Sequence, residues 1–315
     1  MVRYLFVLFE VFVLAVMVSA APAARAADAP YVTTPQNVID AMLKISNVGA
    51  NDYVMDLGSG DGRIVITAAR QFGARGKGFE IDAGLVSAAT RNAQREGVQE
   101  RVSFVSDDLF FADLGAATVI TMYMSESVNV RLRPRLFQLR PGTRVVSHDF
   151  DMGNWTPDAR LVVAVPDKRY GPPSSAILMW TVPADFSGSW SWRMPVEGAE
   201  VAHEAVFKQK FQQAEGQGRI AAQRSAIGPA EVKGDTIRFV MGAEVAGKAV
   251  WREFSGRITG DTIRGTAVTI VDAGSTANHG ASVPWGATRT ARGSMDIEAA
   301  ASQPFGSGFF TKESQ

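Results

Sequence analysis

Gly58, Gly60 and Gly62 fall within five positions of "VMDLGSGDG", behind an apolar run and ahead of a segment with helical spacing. Bare backbone there lets a ligand approach the amides, and the first turn of the next helix offers unpaired N–H groups. The pattern departs from G-x-G-x-x-G, because the third glycine stands one place early and Arg63 follows it. A Walker loop is excluded as well, since no Gly-Lys-Ser/Thr follows. Asp56 stands two places before the first glycine, where an acid suits a positive amino group better than a phosphate. Glu80 ends the second apolar segment, "GKGFEI", and a carboxylate at that place can accept both hydroxyls of a ribose. Asp108 in "VSDDLF", or less favourably Asp107, follows the third segment and can accept from an adenine amino group. Ribose, adenine and an ammonium without phosphate describe S-adenosylmethionine, which is the cofactor these residues imply.

Further polar residues follow later apolar segments. Tyr123 comes at the end of "ATVITMYM", and His148, Asp149 and Asp151 come at and after the end of "TRVVSH". These places share one mouth with the glycines in a parallel sheet, which makes Tyr123, Asp149 and Asp151 the catalytic candidates. Arg131, Arg133, Arg135 and Arg140 read as a solvated helix face. Lysine plus arginine and aspartate plus glutamate both number 32, so no basic field points to nucleic acid. The chain has no cysteine, which removes disulfides, thiolate nucleophiles and cysteine-based metal sites. Its 3 histidines stand far apart, and no metal centre is expected.

The elements that must position these residues alternate. Thr34 suits a helix cap and Pro35 the first helical position, with Val38, Met42 and Ile45 at helical spacing. The strand Tyr53–Leu57 leads into a helix capped by Asp61 or the glycine turn and stopped at Gly73. Strand and helix then alternate to "TRVVSH", with a helix from Ser127 to Leu139 interrupted at Pro134. The expected fold class is α/β, a doubly wound Rossmann-like sheet over residues 31–183. "ARLVVAVP" and "AILMWTVP" are joined by a loop too short for a crossover helix, so they are expected to pair antiparallel at one edge.

Composition changes near Ala184, after which short strands and turns replace helices. Trp190 and Trp192 alternate onto one face as core, and "GDTIR" occurs twice, each time as a turn followed by a strand. Residues 184–292 are expected to form a small all-β barrel or sandwich, separable from the first domain, with a disordered tail over 293–315. At the other end, Arg3, an apolar run from Leu5 to Ala24, and Ala24 and Ala26 before Ala27 make residues 1–26 a signal peptide. The localisation that follows is periplasmic or secreted. The competing assignment is an inner-membrane anchor through residues 5–24, a run just long enough to span.

Through "VMDLGSGDG", "GFEID", "VSDDLF" and the order of its strands, the first domain resembles the class I S-adenosylmethionine-dependent methyltransferases. Within them, "YVTTP", "DLGSGDGRIVI" and "LRPGTRVVSHDF" look like the small lysine methyltransferases of mitochondrial inner-membrane proteins, such as the adenine nucleotide carrier and the c-subunit of ATP synthase. The β-domain has no counterpart in that family. The resemblance implies that Thr34, Ser59 and Ile81 join Asp56, Gly58, Gly60, Gly62, Glu80 and Asp108 around the cofactor, and that the acceptor is a lysine, here of a membrane protein. A lysine must lose its proton before it accepts a methyl group, at about 4.6 kcal/mol at pH 7, and Tyr123 or Asp149 could take that proton. The alternative function is an exported, non-catalytic protein that reuses the fold to bind a small ligand or a partner. A reporter enzyme active only outside the cytosol, fused after residue 40, is expected to be active, with the mature chain starting near Ala27. A silent reporter on a chain that keeps Met1 in the membrane fraction would establish the anchor instead.

Overall fold

A computed structural model describes residues 32–298, apart from 170, 197, 222, 246–247 and 271–278. The signal or anchor segment and residues 299–315 of the tail lie outside the described residues. The chain begins with α1 (Gln36–Ile45), β1 (Tyr53–Leu57), α2 (Arg63–Phe72), β2 (Arg75–Glu80), α3 (Ala83–Arg95) and β3 (Val102–Ser106). It continues with β4 (Val119–Met122), α4 (Glu126–Leu136), β5 (Arg144–His148), β6 (Ala159–Ala164) and β7 (Ser174–Thr181). These strands make one sheet in the order β3-β2-β1-β4-β5-β7-β6, parallel through β5, with β7 antiparallel to both β5 and β6. The antiparallel edge is as expected.

Alternation along β1 explains the two helical layers. Val54 packs in one cluster with Val38, Met42 and Leu43 of α1 and Ile64 of α2. Met55 and Leu57 face the other way, into a cluster with Val128, Leu132 and Leu136 of α4. Two local expectations change, and one is met by the second of its alternatives. Thr34 does not cap α1, because Pro35 takes the N-cap place without a side-chain bond. Of the two caps expected for α2, the glycine turn provides it, through Gly62. Pro134 lies inside α4 near its end, so the helix runs on to Leu136 rather than breaking there.

Two of the α4 arginines, Arg133 and Arg135, do not belong to a solvated face. Arg133 is 1% exposed, donates to Met152 O at 3.0 Å and Asn154 Oδ1 at 2.7 Å, and covers the Phe211 ring. Arg135 donates to Leu109 O at 2.9 Å and also to Ala112 O. It thereby ties down the irregular link from β3 to β4, which has no helix of its own to hold it. Arg131 lies over the Phe110 ring and is exposed, as is Arg140 beyond the end of α4, so both keep the expected place.

The second domain contains β8 (Gly188–Val196), β9 (Ala199–Lys210), β10 (Gln213–Ile220), β11 (Gln223–Ile227) and β12 (Ala230–Lys233). β13 (Thr236–Val245), β14 (Lys248–Thr259), β15 (Thr262–Ile270) and β16 (His279–Arg292) complete it. Pairing of β9 with β10 closes the antiparallel series through β8 and β16, so the domain is a barrel rather than a sandwich. Trp190, Trp192 and Trp285 fill it together with Phe207, Phe239 and Phe254. Both "GDTIR" stretches begin in two-residue turns, Gly234-Asp235 between β12 and β13 and Gly260-Asp261 between β14 and β15.

The barrel is docked on the sheet domain. Phe211, at the turn between β9 and β10, joins the core that holds Trp155, Trp180 and Leu136. Trp155 Nε1 donates to Gln212 Oε1 at 3.0 Å, and Gln212 Nε2 donates to Thr156 O at 2.7 Å. Residues 293–298 are held as well, against the expected tail. Asp296 bridges to Lys210 through the backbone, and Ile297 packs on the same core. The two domains therefore share one apolar interface. Truncating a buried phenylalanine costs about 3–5 kcal/mol, so Phe211→Ala is expected to lower the Tm of the whole chain clearly. An unchanged melting curve would mean that the domains are energetically independent.

Candidate cofactor and catalytic site

At the C-terminal end of β1 the chain turns under β2. Gly58 N and Ser59 N both donate to Phe79 O, at 2.8 and 2.9 Å. Glu80 then closes the loop, its Oε2 accepting from Gly60 N at 2.9 Å and its Oε1 from Asp82 N at 3.1 Å. Gly58 and Gly60 have φ of 77° and 53°, a backbone that disfavours any side chain. A Cβ on Gly58 would also run into the Met124 side chain. Gly62 has a different duty. It does not line the cavity, and a Cβ there would strike the Phe104 ring and Ala89 Cβ, so it serves close packing of α2 instead.

The loop borders a cavity of about 770 Å³, ample for a nucleoside-sized ligand. Thr34, Asp56, Gly58, Ser59, Gly60, Glu80, Ile81 and Asp108 all line it, and so does Asp107. Asp56 is 2% exposed and accepts from Thr121 Oγ1 at 2.7 Å. Burial pushes its carboxyl up to about 7 against that hydrogen bond, with Glu80 and Asp61 adding to the rise. Such an acid is stabilised in its charged form by an approaching ammonium. Ser59 Oγ is buried and has no partner, although it borders the cavity. A bare glycine cradle, an orphaned hydroxyl and acids at the ends of β1, β2 and β3 fit S-adenosylmethionine.

Of the catalytic candidates, Tyr123 reaches the cavity and the two aspartates do not. Tyr123 is half-buried and stacks on His148 with centroids 3.8 Å apart. Burial raises its phenol above the ordinary value, and the Asp149 charge raises it further, so it stays protonated at neutral pH. Asp149 has a left-handed φ of 63° that turns its carboxylate toward β7, where Oδ1 accepts from Ala176 N at 2.9 Å. Its Oδ2 pairs with Lys168 Nζ at 2.6 Å. Asp151 accepts from Gly153 N and points into its own loop. The expectation that either acid faces the acceptor is thus replaced by a structural duty for both.

Residues that the motifs did not single out also border the cavity. Val32, Thr33 and Thr34 form a strap that lines it, and Arg63 Nη1 donates to Thr34 O at 3.1 Å while pairing with Asp61 at 2.7 Å. The Asp61-x-Arg63 spacing beside the glycines was the available signal. Phe110 and Met124 supply apolar wall and carry no polar signal at all.

The ANTKMT methyltransferase domain matches residues 56–159 and so ends before the barrel. A protein-lysine N-methyltransferase of Saccharolobus islandicus (strain REY15A) is 44% identical over 140 residues, which cover 44% of this chain and 86% of that one. The adenine nucleotide translocase lysine N-methyltransferase of Mus musculus is 35% identical over 132 residues, 41% of this chain and 57% of the relative, less than two thirds of its length. Among solved structures, an RNA methyltransferase from Salinibacter ruber in complex with S-adenosyl-L-homocysteine is 47% identical, with a TM-score of 0.45 over 54% of this chain and 100% of that one.

Two substitutions test the cofactor site. Losing a charge-assisted hydrogen bond costs roughly 1.5–3 kcal/mol, so Glu80→Ala is expected to weaken S-adenosylhomocysteine binding by about one to two decades in calorimetry. Asp56→Asn is expected to weaken binding too, yet to stabilise the free protein at high pH. The folded-state value of Asp56 lies above its ordinary 3.8, so its contribution to stability is present below that value and is lost as pH rises through about 7. The Tm gain of the Asn variant should therefore grow from about pH 4 and reach its full size above about pH 7, and a gain that shrinks as pH rises would contradict the burial of a costly charge. On its site and its relatives, the chain belongs to the class I S-adenosylmethionine-dependent methyltransferases, in the family marked by the ANTKMT methyltransferase domain, and S-adenosylmethionine is its cofactor.

Proposed function

We propose that the enzyme methylates the side-chain amine of a protein lysine. The observation that carries this is the acidic excess of the cavity wall: beyond Asp56, Glu80 and Asp108 on the cofactor side, Asp82 and Asp107 stand there with Arg131, while Asp61 pairs with Arg63. Such a wall draws a cationic ammonium and repels a phosphate backbone. The name of the Saccharolobus islandicus relative supports the same acceptor. S-adenosylmethionine supplies an activated methyl group on a sulfonium. The chain's residues have then to align the nitrogen and strip it of water. Tyr123 offers a ring face to the ammonium and, as a neutral phenol, an oxygen that accepts its hydrogen bond. With Asp149 engaged by Lys168 and Ala176, the departing proton goes to solvent at the cavity mouth.

A lysine of a membrane protein is the acceptor we favour. The Mus musculus relative is named for the adenine nucleotide translocase, and the apolar run at residues 5–24 precedes the strap by a few residues. Export through that run, or anchoring by it, decides which face of the membrane the site meets.

Incubation with lysine-containing peptides and labelled cofactor, read by mass spectrometry, is expected to place methyl groups on lysine Nζ. Tyr123→Ala should lower kcat/KM for the peptide by about tenfold to a hundredfold while S-adenosylhomocysteine affinity holds. Transfer to RNA rather than to peptide, or full activity in Tyr123→Ala, would overturn the assignment.

A further inference from the structure

His148 ends β5 and is 1% exposed. Its Nδ1 lies 3.2 Å from Thr34 Oγ1, and its Nε2 lies 2.8 Å from Ser175 Oγ and 3.4 Å from Asp149 Oδ2. The Tyr123 ring stacks on its face at 3.8 Å. Thr34 and Tyr123 both border the cavity, and His148 does not. One buried ring is therefore bonded to the strap on one side of the cavity and stacked against the aromatic wall on another.

The geometry points to His148 as a positioning residue that couples the strap on the cofactor side to Tyr123 on the acceptor side. The acceptor half of this inference rests on the lysine assignment above. Few side chains could do both tasks. A flat face is needed for the phenol ring, and two edge atoms are needed for hydroxyls on different elements, one in the strap and one on β7. Burial lowers the imidazole to about 4, with Asp149 opposing and Lys168 assisting, so the ring is neutral at ordinary pH. It then carries one donor and one acceptor, and freely rotating hydroxyls complement either tautomer. Thr34 is thereby held twice, by its hydroxyl on His148 and by its carbonyl on Arg63.

Three variants separate coupling from simple packing. His148→Asn carries an amide near the place of Nδ1 and keeps the Thr34 hydroxyl. His148→Gln reaches the place of Nε2, keeps Ser175 and releases the strap. Both lose the stacked ring. Calorimetry with S-adenosylhomocysteine should show His148→Gln weakened by about five- to tenfold, the loss of one buried hydrogen bond, and His148→Asn within about twofold of the native chain. Both variants should raise the peptide KM or lower kcat severalfold. Ser175→Ala lies away from the cavity and decides the matter if the His148 variants do not fold. By unseating the ring it should weaken cofactor and peptide together. A merely structural histidine would lower Tm in the Asn and Gln variants alike without separating the two constants. Equal cofactor affinity in all variants, or equal loss in Asn and Gln, overturns the coupling. Cofactor affinities that follow the expected order on a protein that methylates no lysine would leave the coupling standing and remove the lysine assignment.

Discussion

A carboxylate buried at the end of a central strand sets the terms for the rest of this site. Asp56 can be held there because β1 lies between β2 and β4 in parallel register, with Thr121 opposite it on one side and Gly78 on the other. Thr121 supplies the hydroxyl that offsets part of the desolvation. Gly78 leaves room that a Cβ would take from Ser59 and Phe104. The glycine loop can then fold back onto Phe79 O, which sets Gly60 N against Glu80. Each of these contacts depends on the strand order, so the sheet and the cofactor cradle are one construction.

The barrel stands apart from the cavity, yet it bears on the same machinery through α4. The turn at Phe211 and Gln212 braces Trp155 and lies under the Arg133 guanidinium. Arg133 in turn holds the loop after β5 through Met152 and Asn154. The opposite end of α4 carries Val128 and Arg131 on the cavity wall. Aromatic side chains fill the barrel interior, and Phe211 at its turn packs in the same core as the α4 residues Val128, Leu132 and Leu136.

Local pattern carried much of this, and the reasons differ residue by residue. Asp56, Glu80 and Asp108 were legible because a strand end is a local feature, and parallel pairing brings successive strand ends together. The hairpins at Gly234 and Gly260 were legible for the same local reason. Arg133 and Arg135 were not, because a long side chain finds its partners across the fold and its own helix gives no sign of them. Phe211 was hidden too, as a single aromatic at a hairpin turn looks like exposed surface until another domain covers it. Asp149 failed as an acceptor-facing acid because one left-handed residue swung its carboxylate away from the mouth, and backbone handedness at a single non-glycine position leaves no mark in composition. Gly62 matched the glycine pattern, but its neighbours Phe104 and Ala89 are what require it.

The acidity of the cavity has a further consequence for the order in which charges meet. Burial raises Asp56 well above the ordinary carboxylate range, so its carboxylate is costly to ionise unless a cation stands beside it. A ligand ammonium beside Asp56 favours the ionised carboxylate. Filling the cofactor side therefore brings the deepest acid of the wall into its charged state. The shallower acids Asp82 and Asp107 are exposed to water, where they attract a second cation without needing the first. The burial that makes Asp56 costly in the empty protein is what ties its charge to occupancy of the site.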